Sequence, residues 1–138
     1  MLRRCACMAV AVMLVGLSTA QAADTTLTLA CQGTVTLIKD GRERKPEPIS
    51  MGMIANLTAQ TITGLGGPGD DTPMTITGFD DLHISFRGSA GNWWTIQGSI
   101  DRVTGDMEAI STNWELTTHE VAFSQLLALK CRPTQRMF

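Results

Sequence analysis

Apolar and polar residues alternate along much of this chain, most clearly in the stretch 25–38, TTLTLACQGTVTLI. Its odd positions are apolar or small, and its even positions are mostly threonine. This alternation predicts a β-strand with one buried and one solvent-facing side, because successive side chains in a strand point to opposite faces. Cys31 lies on the side that we expect to be buried.

The last alternating stretch of the chain has the same character and again places a cysteine on its apolar side. Thr117 and Glu120 have the spacing of a helix capping box, so a helix is the alternative here. The alternation favours a strand. We therefore predict that the first and last strands pair and that a disulfide joins Cys31 to Cys131, since neighbouring strands bring Cβ atoms within bonding reach. The inward positions of the last strand are Val121, Phe123, Leu127, Leu129 and Cys131.

The chain between these two stretches consists of short alternating runs separated by polar turns. Asp80-Asp81 separates two runs closely enough to predict a hairpin, and the segment Asp101–Gly105 predicts another tight turn. In this second turn, Asp101 is expected to accept hydrogen bonds from backbone N–H groups, and Gly105 is expected to adopt a positive φ. The runs cover residues 49–57, 60–65, 74–77, 82–86, 94–100 and 107–109.

These runs add up to about eight short strands without a long helix, which predicts an all-β fold. A sheet closed on itself has no exposed edge, so pairing of the terminal strands predicts a small antiparallel up-and-down barrel of about eight strands. A two-sheet β-sandwich is the alternative. Glycines expected at inward positions (Gly33, Gly78 and Gly98) suit a tightly curved sheet. The expected interior is bulky enough to fill a small barrel: Leu27, Leu29, Val35, Leu37, Met53, Ile76, Ile84, Phe86, Trp94 and Ile96.

The first 22 residues have the pattern of an export signal. Arg3 and Arg4 precede an apolar run at 8–17, and Ala20-Gln21-Ala22 is a small-x-small cleavage site. Cleavage after Ala22 would leave one β domain, residues 23–138, and we expect it to be periplasmic or secreted. The two cysteines that remain fit a disulfide in an oxidising compartment.

The charge balance argues against one class of partner. The chain has 11 basic and 13 acidic residues, and loss of Arg3 and Arg4 leaves nine basic residues and a net charge of −4. Binding to nucleic acid relies on clustered Lys and Arg, so we expect no nucleic-acid partner. The outward positions of the strands are polar and offer no lipid-facing band, so we also expect no membrane span.

Four segments of the chain are similar to an uncharacterised group of small exported bacterial β-proteins. The segments are LACQGTVT at 29–36, ISMGMIANLTAQTITG at 49–64, GSIDRVTGDMEA at 98–109 and LKCRPTQRMF at 129–138. The resemblance implies an exported β-protein and no catalytic residue, because no activity is known for that group. The eight-stranded periplasmic inhibitors of lysozymes and of metalloproteases resemble the expected architecture, but their inhibitory motifs have no counterpart in these residues.

No set of residues in the sequence predicts catalysis, a cofactor or a metal site. His83 and His119 are the only histidines, and neither has a second ligand at metal-binding spacing. Asp70-Asp71 and Asp80-Asp81 fit turns better than a calcium site. A methionine cluster could bind Cu(I), although methionine filling the core is the interpretation that we favour. That cluster comprises Met51, Met53, Met74 and Met107.

Trp93 is the residue that most suggests a binding surface. If Trp94 fills the core, its neighbour Trp93 points the other way and is available to stack on a ligand or to anchor an interface. We therefore predict a non-enzymatic binding or interaction protein whose partner is another protein or a small molecule. The alternatives are an inhibitor of a periplasmic hydrolase, of lysozyme or protease type, and a binder of small apolar ligands in the barrel mouth.

A positive patch is a further possibility at the sequence level. Residues 39–48 are expected to form an exposed connection with a turn at Asp40-Gly41. If the terminal strands are neighbours, this basic connection could approach the basic C-terminal segment and contact anionic lipid or polysaccharide. Solvated loop charge is the interpretation that we favour. The basic residues are Lys39, Arg42, Arg44, Lys45, Lys130, Arg132 and Arg136.

Overall fold

The computed structural model describes residues 25–66 and 72–134, and all regular secondary structure in these ranges is β. The signal predicted at 1–22, the pair Asp70-Asp71 and Arg136 lie outside the described residues. The strands are β1 (Thr26–Lys39), β2 (Arg42–Glu43), β3 (Glu47–Asn56), β4 (Thr61–Thr63), β5 (Met74–Phe79), β6 (His83–Ala90), β7 (Trp94–Asp101), β8 (Asp106–Trp114) and β9 (Val121–Pro133).

The strands form one closed antiparallel barrel. Each of the strands from β3 to β8 pairs with the next one along the chain, and β1 pairs with both β3 and β9. Eight strands therefore close an up-and-down barrel, as the sequence predicts, and the sandwich alternative is wrong. The two-residue strand β2 is an addition within the predicted connection 39–48, where it pairs with the end of β1. At the turn between them, Asp40 and Gly41 both have positive φ, 53° and 70°.

The terminal strands close the barrel along a long seam with a disulfide in it. Ten residue pairs join β1 to β9, from Leu29↔Pro133 to Ile38↔Ser124. Cys31 and Cys131 lie directly opposite each other, with Cα atoms 4.0 Å apart and a sulfur–sulfur bond of 2.08 Å. The Cys131 N–H donates to the Gly105 carbonyl on the other side, so the cysteines occupy a non-hydrogen-bonded pair, the closer of the two pair types. The prediction of a closing strand rather than a helix is confirmed.

Large side chains fill the barrel interior. Seven of the ten predicted interior residues are buried; Leu27 and Val35 are half-buried against the core, and Leu37 is half-buried. The fully buried side chains with the largest volumes are Phe86, Met53, Ile62, Met74, Ile84, Ile96, Met107 and Cys31.

Two of the three predicted inward glycines allow close packing, and the third prediction is wrong. A Cβ at Gly33 would lie 2.1 Å from the Ala128 carbonyl oxygen, and one at Gly98 would lie 2.7 Å from Cζ of Phe86. Gly78 is exposed instead, because a register shift between Ile76 and Gly78 moves it to the outer face.

The alternative of a positive patch is not supported among the described residues, because the strands run antiparallel. We call the end of the barrel with the turn Asp40-Gly41 the upper end, and the end with the turn after Asp101 the lower end. In the β1–β9 seam, Gln32 pairs with Lys130 and Ala30 with Arg132, so these basic residues lie towards the lower end. The basic connection 39–48 starts at the opposite end of β1.

Candidate functional site

A concave surface crosses the outer face of strands β5 to β9, and we call it the outer groove. Two rows of outward-facing residues border it. Ser85, Ser99, Glu108 and Ala128 are cross-strand neighbours in one row, and Arg87, Gln97, Ile110 and Leu126 are neighbours in the other. The first row consists mostly of small side chains, which leaves a depression of about 900 Å³ above the sheet.

Charged and polar side chains line the outer groove without neutralising one another. Arg87 Nη2 donates a long hydrogen bond of 3.4 Å to Oε1 of Gln97. Within the described ranges, neither Arg87 nor Glu108 forms an ion pair. A second depression of about 340 Å³ shares Arg87, Gln97 and Ile110 with the first, so the concave surface continues towards the upper end. Among its described residues, the groove therefore contains a guanidinium and a carboxylate that are not paired with each other, an amide and an apolar edge.

Trp93 lies at the upper end, in the turn between β6 and β7. Its neighbour Trp94 is buried, at 4% exposure, as the sequence predicts. The Trp93 side chain is only half-buried and packs against the edge of the core, while its carbonyl accepts a hydrogen bond of 2.7 Å from the Trp114 N–H. A role for Trp93 in binding remains a prediction.

The turn between β7 and β8 has the predicted geometry. Oδ1 of Asp101 accepts hydrogen bonds from the N–H groups of Val103 and Thr104, both at 2.8 Å, and Gly105 has a φ of 78°. These hydrogen bonds, from Thr104 first and then Val103, lower the pKa of the Asp101 carboxyl group, because they stabilise its charged form. The turn is held by its own polar groups and leaves Val103 exposed.

The neighbouring turn between β5 and β6 is built in the same way. Oδ1 of Asp80 accepts hydrogen bonds from the N–H groups of His83 and Leu82, both at 2.7 Å, and these bonds lower the pKa of Asp80. Nδ1 of His83 lies 3.8 Å from the same carboxylate oxygen on the exposed surface. Arg102 joins the two turns: its N–H donates to the Leu82 carbonyl at 2.7 Å and its Nη1 to the Asp80 carbonyl at 2.5 Å.

No metal centre emerges from the described part of the chain, where no three His, Cys, Asp or Glu side chains are grouped closely enough to hold an ion. Met53, Met74 and Met107 are buried in the core, and Met51 packs against it. His83, at the start of β6, and His119, in the connection before β9, are both exposed and lie at opposite ends of the barrel. No helix in the ranges 25–66 and 72–134 could span a membrane.

The outer groove was not predictable from the sequence alone. Its charged residues, Arg87 and Glu108, are ordinary outward positions in two strands that are not adjacent. Only the pairing of β6, β7, β8 and β9 brings the two rows together. The one local signal is the run of small or polar residues at alternate positions, which strands exposed on one side commonly have.

The fold and the surface together define a small disulfide-closed β-barrel with a filled interior and an outer groove lined by both polar and apolar side chains. Comparison of the chain with protein-family models, with curated proteins and with solved structures gives no match.

Proposed function

We propose that this chain is an exported, non-enzymatic interaction protein of the cell envelope that binds a protein partner on the outside of its barrel. The outer groove is the surface that we assign to this contact. An extended segment of a partner could lie across the two rows of side chains, with an acidic group near Arg87 and a basic group near Glu108. Apolar side chains of the segment would then contact Ile110 and Leu126.

The observation that supports this proposal is the filled interior. Phe86, Met53 and Ile96 are at most 2% exposed, and the buried glycine position 88 in the wall also has close neighbours. An added Cβ at Gly88 would lie 2.7 Å from Cγ of Met74. Binding of an apolar ligand inside the barrel needs a concave site, which these side chains occupy. Recognition on the outer surface is therefore favoured over the alternative of a ligand binder in the barrel mouth.

The experiment is a capture from envelope extract with the purified, oxidised protein as bait. We expect a protein to be retained by the wild type and the variant Arg87→Ala to retain it about tenfold less, the size of effect typical when a well-placed interface arginine is truncated. Arg132→Ala is the matched control, because Arg132 is exposed on β9 outside the groove. Equal losses in both variants, or no retained protein, would contradict the proposal.

Trp93 gives a second arm of the same experiment. If its half-exposed indole ring contacts the partner, Trp93→Ala should also reduce capture while leaving the far-ultraviolet circular dichroism unchanged. Unchanged capture would remove Trp93 from the contact surface. Saturable binding of a fluorescent fatty acid that alters the emission of Trp94 would instead favour the ligand-binding alternative.

A further inference from the structure

The lower end of the barrel carries a second surface, made of the two turns 79–83 and 101–105, which we call the turn pair. Three of its apolar side chains face solvent: Phe79 is 50% exposed, Leu82 55% and Val103 75%. Exposed apolar side chains grouped in one place are a feature of binding surfaces, whereas isolated ones are ordinary. The hydrogen bond between the Arg102 N–H and the Leu82 carbonyl shows that the two turns are in direct contact.

The turn pair is fixed before any partner arrives. Each turn has an aspartate that accepts two hydrogen bonds from its own backbone, Asp80 in one and Asp101 in the other. The guanidinium of Arg102 lies 4.6 Å from the centre of the Phe79 ring and also binds the Asp80 carbonyl, so it fixes one turn on the other. A surface that is already ordered loses little conformational entropy on binding.

The charge of the turn pair indicates what kind of partner fits. Asp80, Asp81 and Asp101 contribute three carboxylates, and Arg102, which already contacts Phe79, contributes one guanidinium. Nδ1 of His83 lies 3.8 Å from Asp80, and the neighbouring Asp106 and Lys130 pair with each other, so with Arg132 on β9 included the carboxylates still outnumber the Lys and Arg side chains. Protruding turns offer no enclosure to a small molecule, so the partner must supply the recess. Anionic lipid would be repelled by these carboxylates, and two copies joined through this surface would bring like charges together.

We infer that the turn pair inserts Phe79, Leu82 and Val103 into an apolar recess of a partner protein, and that lysine or arginine side chains border that recess. This inference rests on the proposed function, because it requires that the chain binds a protein. It adds a contact that is separate from the outer groove and defines the partner by its chemistry.

Site-specific photo-cross-linking in the exporting cell locates the contact. A photoreactive amino acid is incorporated at position 103 in the turn pair, at position 97 in the outer groove, and at position 116 at the upper end. Position 116 is the matched control, because Leu116 is also an exposed apolar turn residue, at 62% exposure. We expect cross-linking to a partner protein from position 103 and not from position 116.

The captured protein is then purified and its affinity is measured by calorimetry. Leu82→Ser is expected to raise the Kd about tenfold, and its control Leu116→Ser should change it less than about twofold. Asp81→Asn is expected to raise the Kd about threefold at low salt and to have no effect at high salt, because a charge at the rim of an interface is screened. Its control is Asp40→Asn at the upper end, where Asn tolerates the positive φ.

The outcomes separate this inference from the proposed function. Cross-linking from position 97 but not from 103 overturns the inference and leaves the proposed function in place. Cross-linking from none of the three positions contradicts both. A cross-linked product that is a second copy of this chain also overturns the inference, as do equal effects of the test and control substitutions.

Discussion

At the scale of single residues, the packing of the interior depends on a glycine in the barrel wall that leaves space for a neighbouring side chain. Gly98 lies in the middle of β7, where most glycines weaken a strand. A Cβ added there would lie 2.5 Å from the Glu108 carbonyl oxygen, 2.6 Å from Cβ of Ala109 and 2.7 Å from Cζ of Phe86. The absent side chain therefore allows the Phe86 ring to occupy the barrel wall, which keeps the interior closed.

At this scale we predict that adding one methyl group at position 98 destabilises the folded protein. Gly98→Ala should lower the free energy of unfolding by about 1–3 kcal/mol, because backbone atoms of β8 cannot move away easily. Gly52→Ala is the control: a Cβ at Gly52 meets nothing within 4 Å, so that substitution should be neutral or slightly stabilising. Urea unfolding of both variants measures the difference, and equal free energies would show that the wall is not tightly packed at Gly98.

At the scale of elements, the turns of the lower end are stabilised by ionised carboxylates. Asp80 and Asp101 cap their own turns, and Asp106 at the start of β8 lies 2.8 Å from Nζ of Lys130 on β9. The Lys130 hydrogen bond lowers the pKa of Asp106, as the backbone hydrogen bonds do for the two capping aspartates. The lower end is therefore sensitive to acid.

We predict that Asp101→Asn makes stability less dependent on acid pH. The folded pKa of Asp101 is lowered below its unfolded value of about 3.9, so its contribution is present above about pH 4 and is lost as the pH falls through the folded pKa. An amide oxygen still accepts the hydrogen bonds of the turn but does not titrate. The fall in Tm from neutral pH to about pH 2 should therefore be smaller in the variant than in the wild type.

The control for this measurement is Asp40→Asn in the turn between β1 and β2. Among the described residues, no hydrogen bond to the Asp40 side chain corresponds to those that Asp101 accepts. Its substitution removes no hydrogen bond of this kind, so it should change the pH dependence of Tm less than Asp101→Asn does. If both substitutions change that dependence equally, the turn hydrogen bonds are not its cause.

At the scale of the whole molecule, the ring of strands depends on the β1–β9 seam. The seam pairs strands from opposite ends of the sequence, so most of the described chain lies in the loop between the paired strands. The two cysteines of the disulfide are 100 residues apart in sequence, and both are buried in this seam. Cross-linking such distant residues restricts the unfolded chain strongly.

We predict a large loss of stability when the cross-link is removed. The double substitution Cys31→Ala and Cys131→Ala should lower the free energy of unfolding by up to about 4.7 kcal/mol, the chain-entropy value for a loop of this length. Guanidinium unfolding of the variant and of the wild type under reducing conditions should give the same midpoint. A loss below about 1 kcal/mol would mean that strand pairing alone holds the seam.

The sequence predicts the strands better than it predicts the surface they create. The alternation in 25–38 predicts the ends of β1 to within one residue. Asp101 and Gly105 correctly predict the turn between β7 and β8. The prediction for Gly78 fails, because a bulge in β5 shifts the register and sends the glycine outward. The alternative of a positive patch also loses support, since the connection 39–48 and the described basic residues of β9 lie towards opposite ends of the barrel.

Alternation and turn chemistry determine an antiparallel β fold, because they act between residues that are neighbours along one strand or one turn. The two cysteines on the apolar faces of the first and last strands add the prediction that the fold closes at Cys31 and Cys131. Tertiary structure alone decides which outward side chains meet. Arg87 and Glu108 share a groove, and Leu82 and Val103 share one end, through the accumulated register of several strands. That register depends on bulges and on the closure of the whole ring, which no local pattern of residues encodes.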